Sequence, residues 1–220
     1  MVNKSYILFD LDGTITDPKV GITKSVQHSL EHFGIYVEDL DTLTSFIGPP
    51  LRDSYKKYYG FNDSNVEIAV AKYREYFSEN GIFENTLYEG MDMLLKTLKD
   101  RGNQLIIATS KPTIYAEKII KYFNLSLYFD FVSGSELDGR RSKKDEIIKY
   151  AFENMNITHF EKAIMVGDRE HDIIGANNVG VDSIGVLYGY GDLQELMNAG
   201  ATFISENVEK LSDLLLERTL

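Results

Sequence analysis

Cysteine is absent from the 220 residues. That excludes disulfides, a thiolate nucleophile and any cysteine-ligated zinc or iron–sulfur site. It also suits a reducing compartment, so a cytoplasmic protein is expected. No apolar run approaches the ~18 residues of a membrane span. The start, Met1 to Ser5, leads into only four apolar residues before Asp10, too few for a secretory core, so no membrane association is expected. Basic residues are scarce: 34 acidic side chains face 23 basic ones, for a net charge of −11. A chain so acidic repels a phosphate backbone, so a nucleic acid polymer is not an expected partner. Four prolines leave no Pro-rich linker, and no Gly-x-Gly-x-x-Gly follows the first apolar run, which argues against a dinucleotide loop.

Composition is otherwise that of a globular chain, with 43% hydrophobic and 26% charged residues. Short apolar runs recur at Tyr6–Phe9, Leu105–Ala108, Phe129–Val132, Ala163–Val166, Ser183–Val186 and Thr202–Ile204. Each is strand-length and bounded by turn or polar residues. Between them lie helical patterns over Met91–Lys99, from Pro112 to Phe123, and over Lys144–Asn154, Ile173–Asn178, Leu193–Ala199 and Val208–Leu216. Continuous apolar strands alternating with helices predict an α/β doubly wound parallel sheet. From Pro18 to Thr86 the pattern is helical only. Ile22, Val26, Leu30 and Phe33 keep one face, and Ser64-Asn65-Val66-Glu67 has the capping-box form. The expected organisation is a core of residues 1–17 and 87–220 with a helical insert over 18–86. Placed directly after the first strand, such an insert is expected over the sheet's C-terminal edge, where open α/β folds bind ligands.

Four polar groups end on predicted strand tips. Asp10-Leu11-Asp12-Gly13-Thr14 puts two carboxylates two residues apart, and residues at that spacing share one side of a strand. Such a pair needs a cation or a shared proton, and it divides naturally into a nucleophile, Asp10, and a general acid/base, Asp12. A lone Asp-Gly turn is the plain alternative, but an apolar strand feeding both carboxylates is much rarer. Gly167-Asp168 with Asp172 supplies further hard oxygen ligands suited to Mg2+. A helix start capped by Asp is equally compatible with that segment alone. Thr109 and Ser110, ahead of a proline-initiated helix, make a phosphate cradle or an ordinary turn. The basic run Arg140-Arg141-Ser142-Lys143-Lys144 offers a lysine to balance the aspartates, or a solvated surface. His28 and His32 lie four apart but have no third ligand in view, so packing or solvent is expected for them.

Taken together these segments resemble the haloacid dehalogenase superfamily of phosphatases over the whole chain. Asp10-Leu11-Asp12-Gly13-Thr14 matches its first motif, Thr109 the hydroxyl of its second, Lys144 (or its neighbour Lys143) the lysine of its third, and Gly167-Asp168 with Asp172 its acidic fourth. The resemblance implies catalysis by Asp10, Asp12, Thr109 and Lys144. It implies Mg2+ held by Asp10, the Asp12 backbone carbonyl and Asp168, with Asp172 in close support. Phosphate binding falls to Thr109, Ser110 and Lys144. The helical insert matches a C1-type cap, which is expected to open and close over the aspartates, with Arg52 expected to contact an anionic substrate. Gly185-Val186-Leu187-Tyr188-Gly189-Tyr190-Gly191, Glu195-Leu196 and Ala199-Gly200-Ala201 are similar to the phosphoglycolate phosphatase and 5′-nucleotidase branch. Two positions depart from that branch: Ser110 stands where many relatives have Asn, and no proline follows the motif-three lysine. The implied activity is Mg-dependent hydrolysis of small phosphate esters by a monomer or weak homodimer. The other functions open to these residues are a phosphosugar mutase, a pyrophosphatase and a non-catalytic phosphoaspartate switch.

Overall fold

The computed structural model describes residues 4–216. These form two compact units: one combines the chain before Pro18 with that from Leu87 onward, and the other is Pro18–Thr86.

In the first unit, six parallel strands form one sheet: β1 (Tyr6–Phe9), β4 (Gln104–Pro112), β5 (Phe131–Ser135), β6 (Ala163–Gly167), β7 (Asp182–Val186) and β8 (Phe203–Ser205). Their order is β5-β4-β1-β6-β7-β8. Two short strands, β2 (Thr16–Asp17) and β3 (Thr86–Leu87), pair where the chain leaves and re-enters this unit. β1 is central, with Phe9 level with Ile107 of β4 on one side and Val166 of β6 on the other. Successive side chains of a strand point to opposite faces. Leu8 therefore joins Ile106, Met165, Ile148, Phe152 and Ala176 in one buried cluster. That cluster is covered by α6 (Lys144–Met155) and α7 (Glu170–Val179). Along the chain, α4 (Met91–Asp100) and α5 (Thr113–Tyr122) both pack against β4, and α9 (Val208–Leu216) packs on α4. The remaining helix of this unit, α8 (Leu193–Asn198), lies against α7.

Three boundaries differ from expectation for identifiable reasons. β5 begins at Phe131 because the Asp130 carboxylate accepts the Leu105 N–H (2.8 Å) and pairs with Lys99. α7 starts at Glu170, three residues before the first apolar position, because the Asp172 side chain accepts the Arg169 N–H (3.1 Å) and closes the first turn. In the second unit, α3 (Asp63–Tyr76) is capped by Asn62, whose side chain accepts the Asn65 N–H at 2.9 Å. The capping-box reading placed that cap at Ser64, two residues too late.

The second unit is helical: α1 (Lys19–Glu31), α2 (Leu51–Tyr59) and α3, with a 3₁₀ stretch over Leu40–Phe46 and a π-turn over Phe77–Gly81. Its interior is aromatic. Tyr55 stacks on Phe61 and meets Phe46 edge-on, and the Tyr73 and Phe77 rings also stack. No helix among the described residues is long and apolar enough to cross a membrane.

Candidate active site

The chain runs from β1 to β4 on one side and reaches β6 on the other, so the strand order reverses at β1, and open α/β sheets bind ligands at the C-terminal ends of strands at such a point. Asp10 stands at the end of β1, its N–H donated to Val166 O (2.9 Å) and one carboxylate oxygen accepting the Leu11 N–H (2.7 Å). Asp168 follows the last residue of β6, and Asp172 sits in the first turn of α7. One oxygen from each of Asp10, Asp168 and Asp172 lies within 4.8 Å of the others. Among the described residues this is the only such group.

Neighbouring segments fix each carboxylate. Asp168 accepts the Thr14 hydroxyl (3.2 Å) and the Tyr190 N–H (2.9 Å), and Asp172 accepts the Arg169 N–H (3.1 Å). Asp172 thus performs the helix-capping role and the site role at once. Glycine makes the approach possible. Gly13 has a φ of 82°, and a Cβ there would stand 2.2 Å from the Asp168 carboxylate. A Cβ on Gly175 of α7 would stand 2.5 Å from the Lys144 Cβ, so only glycine lets α6 bring that lysine in.

Lys144 Nζ lies 2.7 Å from Asp172 and 3.1 Å from Asp10, and donates to Ala108 O at 2.8 Å. The buried ammonium therefore has the Ala108 carbonyl as its hydrogen-bond acceptor and the two carboxylates as ion-pair partners. Burial works against its charge, but Asp10 and Asp172 outweigh burial and raise its pKa. Lys143 is exposed at the helix start, so Lys144 is the lysine that reaches the carboxylates. Thr109 is buried within β4, just before its register shift, and accepts the Lys111 N–H (3.3 Å). Ser110 is half-buried, and its carbonyl accepts the Ser135 hydroxyl (2.8 Å).

Asp12 stands apart from the three-carboxylate group. Its Oδ2 pairs with Lys111 Nζ at 2.5 Å, while its Oδ1 is buried with no hydrogen-bond partner among the described residues. Burial raises its pKa, with Asp10 adding to the effect, and the Lys111 ammonium only partly opposes the rise. Burial likewise pushes Asp168 well above the usual carboxylate range and Asp172 to about 6. Four buried carboxylates, Asp10, Asp12, Asp168 and Asp172, face two ammonium groups, Lys111 and Lys144. With all of them ionised, the cluster carries two negative charges in excess. Protons or one divalent cation can balance that excess, and an all-oxygen donor set suits a hard cation.

Lys111 was not among the residues singled out from the sequence, and it lies between Ser110 and the proline that starts the next helix. The signal was its place two residues after Thr109, at the polar end of an apolar strand. Arg52 lies in the second unit, where Glu67 binds its guanidinium through two contacts of 2.7 and 2.8 Å. His28 sits 3.6 Å from Glu75, and His32 packs edge-on to Phe33. His171 is half-buried, and burial lowers its pKa.

The carboxylates stand at the switch point of a doubly wound sheet, and the chain matches the model of the haloacid dehalogenase-like hydrolase family over residues 7–186. It belongs to this family, and it is an enzyme of the phosphatase kind. It is 43% identical over 209 residues to a 5′-nucleotidase of Pseudomonas aeruginosa, covering 95% of this chain and 94% of that one. A crystal structure of a predicted phosphatase from Clostridium acetobutylicum superposes with a TM-score of 0.95 at 49% identity, covering 98% and 99% of the two chains. The chain is also 33% identical over 211 residues to the tyrosine-protein kinase PtkA of Mycobacterium tuberculosis, covering 95% of this chain and 72% of that one.

Proposed function

We propose that this enzyme is a magnesium-dependent phosphomonoester hydrolase that acts on small phosphorylated metabolites through a phosphoryl group carried on Asp10. The observation that supports it most is the buried group of Asp10, Asp168 and Asp172 with its two excess negative charges. Asp10, Asp168 and the Asp12 carbonyl would hold the magnesium, with Asp172 in support. The bound ion supplies charge neutralisation for the transferring phosphoryl group. Nucleoside 5′-monophosphates head the substrate class, in keeping with the 43% identical 5′-nucleotidase, and phosphoglycolate is the next ester.

Each residue then has one task. Lys144 holds Asp10 from one side at 3.1 Å, which keeps the carboxylate aimed. An Asp10 oxygen attacks phosphorus, and the bond from phosphorus to the leaving oxygen breaks. Asp12 donates a proton to that oxygen, so the product leaves as an alcohol rather than an alkoxide. Thr109, the Ser110 N–H and Lys144 serve the phosphoryl oxygens. Water then attacks phosphorus and loses its proton to Asp12. The bond between Asp10 and phosphorus breaks, and inorganic phosphate leaves. The raised pKa of Asp12 supports its starting this cycle protonated. A cysteine-free, acidic chain acting on soluble metabolites fits a reducing cytoplasm.

The test is phosphate release from nucleoside monophosphates, phosphoglycolate, pyrophosphate, hexose phosphates and an aryl phosphate, with magnesium and with a chelator. Magnesium-dependent release from a monoester, abolished in Asp10→Asn, is the expected result. Isomerisation of a hexose phosphate without net release would instead mark a mutase. Release from pyrophosphate alone would mark a pyrophosphatase.

A further inference from the structure

The two oxygens of Asp12 have unlike surroundings. Oδ2 faces the Lys111 ammonium at 2.5 Å, and the two side chains are only 9% and 6% exposed. Oδ1 is buried and has no hydrogen-bond partner among the described residues. An ammonium group has three donors and no acceptor. The oxygen it faces must therefore act as an acceptor, and a proton on neutral Asp12 must sit on the other one.

We propose that Lys111 is a positioning residue for the reaction: by gripping Oδ2 it makes Oδ1 the single atom through which Asp12 gives and takes protons. The proposal rests on the phosphomonoester reading above. In the first half-reaction the Oδ1–H bond breaks as the leaving oxygen, freed from phosphorus, takes that proton. In the second, water gives its proton to Oδ1 as its oxygen bonds to phosphorus and the Asp10 oxygen departs. Asp12 ends protonated on Oδ1 again, and Lys111 neither gains nor loses a proton.

The chain is built to hold this lysine still. β4 shifts register against β5 between Thr109 and Pro112, the stretch that contains Lys111. A Cβ on Gly134 would stand 2.5 Å from the Lys111 carbonyl, so β5 approaches there as only glycine allows. The Lys111 N–H is donated to Thr109 Oγ1 (3.3 Å), and the Ser135 hydroxyl donates to the Ser110 carbonyl (2.8 Å). The peptide unit ahead of the lysine is thereby held at both its N–H and its carbonyl.

The test compares kcat/KM for two esters in the full chain with saturating magnesium. One is a nucleoside monophosphate, whose alkoxide needs a proton to leave. The other is p-nitrophenyl phosphate, whose phenolate does not. For Lys111→Met, we expect kcat/KM to fall by about 10- to 100-fold on the nucleotide, toward the lower range of general-acid effects, and by much less on the aryl ester. Lys111→Gln is the second variant if the first does not fold. Its amide oxygen can accept a hydrogen bond from a proton on Oδ2, so the same selectivity is expected to a smaller degree. Lys111→Arg, again a group of donors only, should restore most of the nucleotide activity. An equal loss on both esters, or no loss, would overturn the assignment, since a lysine that merely bound phosphate would weaken both alike. Asp12→Asn separates the two levels. If it spares the aryl ester and the lysine variants do not, only the role of Lys111 falls. If Asp12→Asn shows no such selectivity, the general-acid reading of Asp12 falls, and this proposal with it.

Discussion

Asp10 and Asp12 are two residues apart, yet their surroundings divide the work between them. Asp10 takes an N–H from Leu11 at 2.7 Å and faces Lys144 at 3.1 Å. Asp12 has one oxygen on Lys111 and one without a partner, in a setting that favours the proton. Asp10→Asn should therefore abolish turnover. Asp12→Asn should lower kcat on alkyl esters by at least ~100-fold while leaving the fold intact, as general acid–base groups contribute about that much. Steady-state rates with a parallel thermal melt check both. Gly175 gives a prediction at the same scale. A methyl there meets the Lys144 stem at 2.5 Å, so Gly175→Ala must push α6 off α7 or turn the lysine away. Overpacking of this kind costs about 1–3 kcal/mol. We expect Gly175→Ala to lose both stability and activity, whereas a surface glycine exchange such as Gly34→Ala should spare activity.

The strands carry the site because their sequence leaves them no exposed face. Tyr6–Phe9, Ala163–Val166 and Ser183–Val186 are legible as buried strands from their apolar runs alone, and a parallel sheet follows from both faces being covered. The carboxylates were legible for the same reason: a charged residue directly after such a run must lie at the strand's end. What was not legible depended on contacts across the chain. The cap of α3 is one case. Both Asn62 and Ser64 are good capping residues, and only the backbone turn chooses between them. Asn62→Ala should cost about 1 kcal/mol and Ser64→Ala close to nothing, as read by thermal or denaturant unfolding. Lys111 is the other case. Its partner lies 99 positions away in β1's loop, and nothing local to Thr109-Ser110-Lys111 distinguishes a gripping lysine from a solvated one.

At the scale of the whole molecule, the excess negative charge of the first unit links folding to pH and to metal. Without metal, Asp172 holds its proton up to about pH 6 when folded, against 3.8 for an ordinary aspartate, and Asp168 shifts the same way. The folded state therefore binds more protons than the unfolded one between these values. Stability from this source is complete below about pH 4 and is lost as pH rises through about 6. A divalent cation replaces those protons, so the gain in melting temperature on adding magnesium should be small at low pH and grow as pH rises past 6. A magnesium effect equal at both ends would argue against ligation by these aspartates.

The central claim is that phosphate passes through Asp10, and intact-protein mass after rapid acid quench tests it most directly. Asp12→Asn should slow release of the phosphoryl group more than its capture from p-nitrophenyl phosphate, because the leaving phenolate needs no proton but the attacking water must lose one. Mixed with that ester and magnesium, the variant should gain the mass of one phosphoryl group, mapped by peptide analysis to Asp10 and absent when a chelator is added. Turnover with no adduct at any quench time, or an adduct on another residue, would contradict the account.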